Sequence, residues 1–254
     1  MTLLFPKLGK NQQRGSKPRC HIITDGSAEV VADRLTKIAD GHAKVTGENI
    51  WMPRGFVSVH EAQLDKSPLL STFTSEKLAA WWLPELQQFN KTPFWDIVST
   101  CTIDGRKGLL LVEAKSHEKE LKSDQCKAGS ESRASIDAAL AEATNGLTQV
   151  TKLTWKLSSK NYYQLSNRFA WTWKLSELGI PVVLVYLGFL NANDMNKRDE
   201  VPFKDQDTWC RSVKSHSATL FPNEVWGRRW SVNKVPFIPI IRSLEVSLDQ
   251  KEQS

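Results

Sequence analysis

Cysteine is scarce in this chain, and its spacing excludes two site types. Cys20, Cys101, Cys126 and Cys210 form no CxxC pair, and His21, His42, His60, His117 and His216 are scattered. A zinc centre built from Cys and His is therefore excluded as a reading. Long apolar runs are also missing. No stretch of eighteen apolar residues exists, so no membrane-spanning helix is expected. Leu3-Leu4-Phe5 is too short an apolar stretch for a secretory signal, and a reduced, cytoplasmic protein is the expectation. Repeats and low-complexity segments are absent. Two motifs fail on spacing. His60-Glu61 has no second histidine four residues after the first, and Gly9 to Lys17 has the wrong order for a phosphate-binding loop.

What is present fits a globular α/β protein. The 254 residues are 40% hydrophobic and 24% charged, enough for one sizeable core with additions. The net charge is +6. A basic balance is compatible with nucleic acid but is weak evidence alone. It is concentrated early: Lys7, Lys10, Arg14, Lys17 and Arg19 occur with no acid among residues 1–19. That composition reads as a solvated, partly disordered arm, with phosphate contact as the sharper alternative.

Periodicity places the elements. Residues 27–39 have helical spacing with Ser27 as cap, and 55–60 (GFVSVH) suit a short strand. Residues 75–89 read as a helix capped by Ser75 and kinked or shortened by Pro84. A helix over 132–152 carries Ile136, Ala139, Leu140, Ala143, Leu147 and Val150 on one side. A second spans 161–178, stopped by Gly179, and VVLVYLGF after Pro181 suits a buried central strand.

The most informative stretch is 94–117. Trp95–Ile103 is β-branched and apolar, Asp104-Gly105 suits a two-residue hairpin turn, and a second arm runs from Gly108 to about Ser116. Counting back from that turn puts Asp96 opposite Glu113 on one face, with Lys115 two residues further along it. Two carboxylates at contact distance repel unless one is protonated or a cation lies between them. Oxygen ligands suit magnesium or manganese. A nearby lysine can orient a water or stabilise charge on a phosphate. The plain alternative is a surface salt bridge of little energetic weight.

Asp96, sixteen intervening residues, then Glu113-Ala114-Lys115 resembles the signature of the PD-(D/E)XK nuclease superfamily. Pro93 stands three residues before Asp96 instead of directly before it, and the resemblance covers roughly residues 76–190. It implies a restriction-endonuclease-like core: a mixed central β-sheet flanked by helices, the order helix, hairpin, helices, buried strand agreeing with it. It also implies that Asp96, Glu113 and the Ala114 backbone carbonyl hold Mg2+ or Mn2+, and that Lys115 acts on the attacking water. The expected division is 1–54 as basic arm and extension, 55–190 as the nuclease-like core, and 191–254 as an extension packed on it. The expected activity is metal-dependent hydrolysis of nucleic acid, most readily DNA, with no membrane partner and with a homodimer allowed. The rival is a non-catalytic nucleic-acid-binding protein of the same fold.

A further acid is implied upstream, with Glu61, Glu76 and Glu85 as equal candidates. Gln164, Asn167, Arg168 and Trp171 share one helical face, and Gln164 and Arg168 are second-tier substrate-binding candidates. Trp226, Arg228, Arg229 and Trp230 form a basic-aromatic cluster that could stack on bases, Arg228 and Arg229 contacting phosphates. His117 continues the Glu113–Lys115 face, where an exposed strand-end histidine is the expectation. Trp171 and Trp173 fall on different sides of one helix and are not expected to share a core surface.

Overall fold

The computed structural model describes residues 5–9, 12–83, 92–121, 124–196 and 200–248. The chain is an α/β protein with a mixed six-stranded sheet flanked by helices. In chain order the sheet strands are β1 (Trp51–Met52), β4 (Ile97–Ile103), β5 (Arg106–Lys115), β6 (Val182–Leu190), β7 (Trp230–Val232) and β8 (Val235–Glu245). Two short strands, β2 (Ala62–Gln63) and β3 (Phe94–Trp95), pair apart from it. The spatial order is β1-β4-β5-β6-β8-β7. The pairs β1–β4, β4–β5 and β7–β8 are antiparallel, whereas β5–β6 and β6–β8 are parallel.

The central hairpin has the register expected from its turn: Ile103 pairs with Arg106 and Ile97 with Val112. Asp104 and Gly105 have φ of 49° and 74°. Positive φ at both central residues twists the turn to suit the flanking strands, and the Asp-Gly pair tolerates it. Period-two alternation then separates two faces. Leu109 and Leu111 join Val98, Leu184 and Phe237 in one core, whereas Leu110, Val112 and Ala114 join Ile97, Val185 and Ile240 in another.

Helices cover both faces. On the second face lie α1 (Ser16–Ile23) and α2 (Ala28–Ile38), through Cys20, Ile23, Val31, Ala32, Leu35 and Ile38. Ser27 caps α2 by accepting the Val30 amide. The composition of residues 1–19 suggested a solvated arm. Instead, from Ser16 the chain is helical, Arg19 is buried and pairs with Asp194, Arg14 pairs with Glu200, and Lys17 pairs with Glu61. Acids distant in sequence supply the charge balance that residues 1–19 lack.

On the first face lie α3 (Thr72–Trp82), α4 (Ser130–Thr151), α5 (Tyr163–Glu177) and α6 (Gln206–Ser217). Helix α3 starts earlier than expected. Ser71 caps it by accepting the Thr74 amide, while Ser75 is buried and donates to the Leu64 carbonyl. The rest of the expected helix, Pro84 to Phe89, falls outside the described residues. The stretch 55–60 is no sheet strand: Gly55, Phe56 and Val57 form a turn closed by a bridge from Arg54 to Ser58. The strand beside the hairpin is β1, two residues long and below the length at which alternation is readable.

Both Trp171 and Trp173 are buried in the same core, against the expectation from helical spacing. Helix α5 is enclosed nearly all round, so opposite sides of it meet different walls of one core. Gly146 on α4 makes room. A Cβ there would come within 2.3 Å of the Trp173 ring. Glycine inside a helix costs about 1 kcal/mol relative to alanine, and the seated indole offsets it.

Strand β8 contains Pro236 and Pro239, residues that by themselves argue against a central strand. The Pro239 carbonyl accepts from the Gly227 amide, on the side away from β6. A residue's amide nitrogen and carbonyl point to the same side of a strand, so the missing N–H of Pro239 lies off the β6 ladder.

Candidate active site

The open end of the hairpin gathers the charged groups. Asp96 lies between β3 and β4, and its Oδ2 accepts the Ala114 amide at 2.7 Å. Glu113 and Lys115 project from β5 toward α5 and are buried. Lys115 Nζ bonds Glu113 Oε1, and at 2.8 Å it also donates to Gln164 Oε1. Arg168 Nε donates to Glu113 Oε2 at 2.6 Å. Glu113, 1% exposed, thus has a cation on each oxygen.

Arg168 does more than neutralise. Its Nη1 donates to Asn167 Oδ1 at 2.8 Å, its Nη2 to the Phe94 carbonyl at 2.6 Å, and its guanidinium lies 4.3 Å from the Trp95 ring centroid. One side chain of α5 therefore ties Glu113 on β5 to the segment immediately before Asp96. A planar fork suits this multiple engagement, which a lysine does not reproduce. The start of α5 is held in turn: the Gln164 backbone N–H donates to both Asp124 carboxylate oxygens, at 3.0 and 3.2 Å.

Burial and charge divide the two acids. Burial, reinforced by the Glu113 carboxylate, pushes Asp96 up to about 7. Burial also opposes ionisation of Glu113, but Arg168 and Lys115 outweigh it and hold this carboxyl below its ordinary range. Burial pulls Lys115 down, yet Glu113 and Asp96 more than reverse this, so the ammonium keeps its proton. His216 goes the other way: burial and then the Lys115 charge lower it to about 4, leaving a neutral imidazole.

A cavity of about 450 Å3 adjoins this end. Lys115, Gln164, Asn167, Arg168, Tyr186 and His216 are among its walls, and Glu113 lies one contact deeper. Of the upstream acids, Glu61 is close enough to raise the Asp96 pKa and pairs with Lys17 at 2.8 Å. Glu76 is on the exposed side of α3, and Glu85 falls outside the described residues. Glu120 enters unannounced: it accepts the Ser116 amide at 2.5 Å and contributes to the raised pKa of Lys115.

Other expected residues lie elsewhere. Arg229 pairs with Asp104 at the hairpin turn, and Arg228 is 5.9 Å from the Trp230 ring centroid. Along β5 from Arg106 to Glu113 that is roughly 23 Å from the acids. Trp226 is core, donating to Ser217 Oγ at 3.0 Å. The cluster is therefore divided: Arg228, Arg229 and Trp230 lie toward the turn end of the sheet, whereas Trp226 packs inward against Tyr186. His117 is buried, not exposed, and bridges to Pro202.

Among the described residues no group of three or more His, Cys, Asp or Glu side chains is placed to hold a metal. Asp96 and Glu113 supply two carboxylates. Magnesium is commonly held by one or two carboxylates with waters and substrate phosphate completing its shell. Each carboxylate oxygen has two lone pairs, so the bonds to Lys115 and Arg168 leave acceptor capacity on Glu113. The Ala114 carbonyl points to the same side as its amide, toward Asp96 and past the end of β4. These oxygen donors fit a hard divalent ion, and the raised Asp96 carboxyl is the group such an ion would return to its charged form.

Among the described residues no helix is long and apolar enough to cross a membrane. No protein-family model, curated protein or solved structure matches the chain.

Proposed function

We propose that the chain is a divalent-metal-dependent nuclease of the restriction-endonuclease-like type, acting on DNA. One observation carries this reading: Asp96 and the Glu113-Ala114-Lys115 segment meet at one end of a sheet, beside a cavity lined by Lys115 and Arg168. The sheet adds support, since an antiparallel β1-β4-β5 unit is followed by helices and a parallel β6.

Asp96, Glu113 and the Ala114 carbonyl would hold Mg2+ or Mn2+. A bound divalent ion polarises the phosphoryl group and eases deprotonation of the attacking water. The chain's own groups do the rest. Lys115 stays charged, so it acts by orienting the water or offsetting developing charge, not by accepting a proton. Gln164 fixes where its ammonium points. Arg168, with three of its five N–H donors on protein atoms, holds Glu113 and the Asp96 segment together.

The non-catalytic binding reading is favoured by one fact: Glu113 is already neutralised by two cations without any metal. The two readings separate on plasmid and single-stranded DNA incubated with Mg2+, Mn2+ or EDTA. The nuclease reading expects cutting with metal and none with EDTA. Salt-sensitive binding that persists in EDTA, with no cutting in metal, favours the other.

A further inference from the structure

Tyr186 lies on β6 directly beside Glu113, its register partner across the parallel ladder. It is 2% exposed, and its ring packs edge-on against Trp226 with centroids 5.2 Å apart. Its hydroxyl finds no hydrogen-bond partner among the described residues. An orphaned buried hydroxyl costs about 1–3 kcal/mol, so a folded chain that keeps one calls for an explanation. Among the described residues eight buried side-chain atoms share this condition, and of these only the Tyr186 hydroxyl belongs to a residue lining the cavity beside the acids. The others are mostly tryptophan nitrogens set in the apolar core.

The surroundings indicate what the hydroxyl meets. Glu113 and Arg168 are close enough to act on it electrostatically, and Lys115 and Arg168 line the same cavity. Lys115 and Arg168 outnumber Glu113, the one carboxylate they pair with, so this wall of the cavity favours an anion. A tyrosine phenol keeps its proton near neutral pH, so Oη is available as an O–H donor. A donor beside cations, next to an acid that is itself already paired, matches a phosphoryl oxygen.

We propose that Tyr186 is a further catalytic residue, its hydroxyl donating to a non-bridging oxygen of the scissile phosphate. This rests on the nuclease reading. No bond to Tyr186 forms or breaks, and the proton stays on Oη. The hydrogen bond strengthens as charge builds on the phosphoryl oxygens, so its effect falls on the chemical step.

Tyr186→Phe removes the one oxygen and little else. The expected result is a kcat about 10- to 100-fold lower, KM within about threefold, and a urea midpoint unchanged or higher, because an orphan has been deleted. Wild-type kcat in the variant would overturn the assignment. So would a lower urea midpoint, which would show that the hydroxyl has a structural partner. Absence of cutting by the wild-type chain counts against the nuclease reading alone. The contact is then read by calorimetric titration with inorganic phosphate: weaker binding in Tyr186→Phe supports it, and equal binding refutes it.

Discussion

The two ends of the β4–β5 hairpin carry the same chemistry on paper: an acid paired with a base. At the turn, Asp104 meets Arg229 with both side chains about half exposed. At the open end, Glu113 meets Lys115 and Arg168 with all three side chains buried. Exposed pairs contribute about 0–1 kcal/mol, because water screens them and long side chains lose freedom. A buried pair is different: its net contribution is small, but breaking one partner strands a charge in a poor solvent. The turn end is therefore free to vary, whereas the open end is constrained as a unit. Burial, not residue type, distinguishes a candidate site from a solvated face.

The largest expected effect follows from stranding charge. Glu113→Ala leaves Lys115 and Arg168 facing each other without their acid. It should lose about 3–5 kcal/mol in urea unfolding, as well as DNA cleavage. Asp104→Ala at the other end should lose less than about 1 kcal/mol. Equal losses at the two ends would dissolve the comparison.

Next comes the clamp. Arg168→Lys keeps the charge but not the fork that reaches Glu113, Asn167 and Phe94 together. Cleavage should fall about 10-fold or more, with a smaller stability loss than for Glu113→Ala. Arg229→Lys, on the exposed pair, should leave both within error, as measured by the same urea and cleavage assays.

The pH dependence is smaller and has opposite signs for the two acids. Asp96 keeps its proton up to about 7 in the folded chain against an ordinary 3.8. The stability from that retained proton is intact below about pH 4 and is lost as pH rises toward 7. Glu113 is held below its ordinary 4.5. Its contribution is present above that value and is lost as pH falls through the lowered folded one. In the metal-free protein, Asp96→Asn should flatten the decline in stability between about pH 4 and 7 and leave the acid limb unchanged. An unaltered profile would mean that Asp96 titrates normally.

The sequence revealed the open end better than the turn end, for physical reasons. The Asp104-Gly105 turn fixes the pairing from Ile103–Arg106 to Ile97–Val112, so counting places Asp96, Glu113 and Lys115 at the same open end, although the ladder stops before Asp96. Helical spacing likewise put Gln164 and Arg168 on one side of α5, and both reach the cluster. What did not show was anything fixed by distant return of the chain. Trp226 to Trp230 looks like a binding patch in isolation, and only the pairing of β7 with β8 reveals that Arg229 comes back beside the turn while Trp226 turns into the core. Tyr186 was hidden inside an apolar run, VVLVYLGF, where a tyrosine reads as core. Strand β8 contains two prolines that a sequence cannot show to be harmless: Pro239 turns its nitrogen off the β6 ladder, and Pro236 precedes the start of that ladder.

The most direct test compares Asp96→Asn with Asp104→Asn in one Mg2+-dependent DNA cleavage assay. Both remove one carboxylate charge from the same hairpin. The account predicts that Asp96→Asn loses about a thousandfold or more in rate, while Asp104→Asn stays within about twofold of wild type. Full activity in Asp96→Asn, or an equal loss in both, would contradict it.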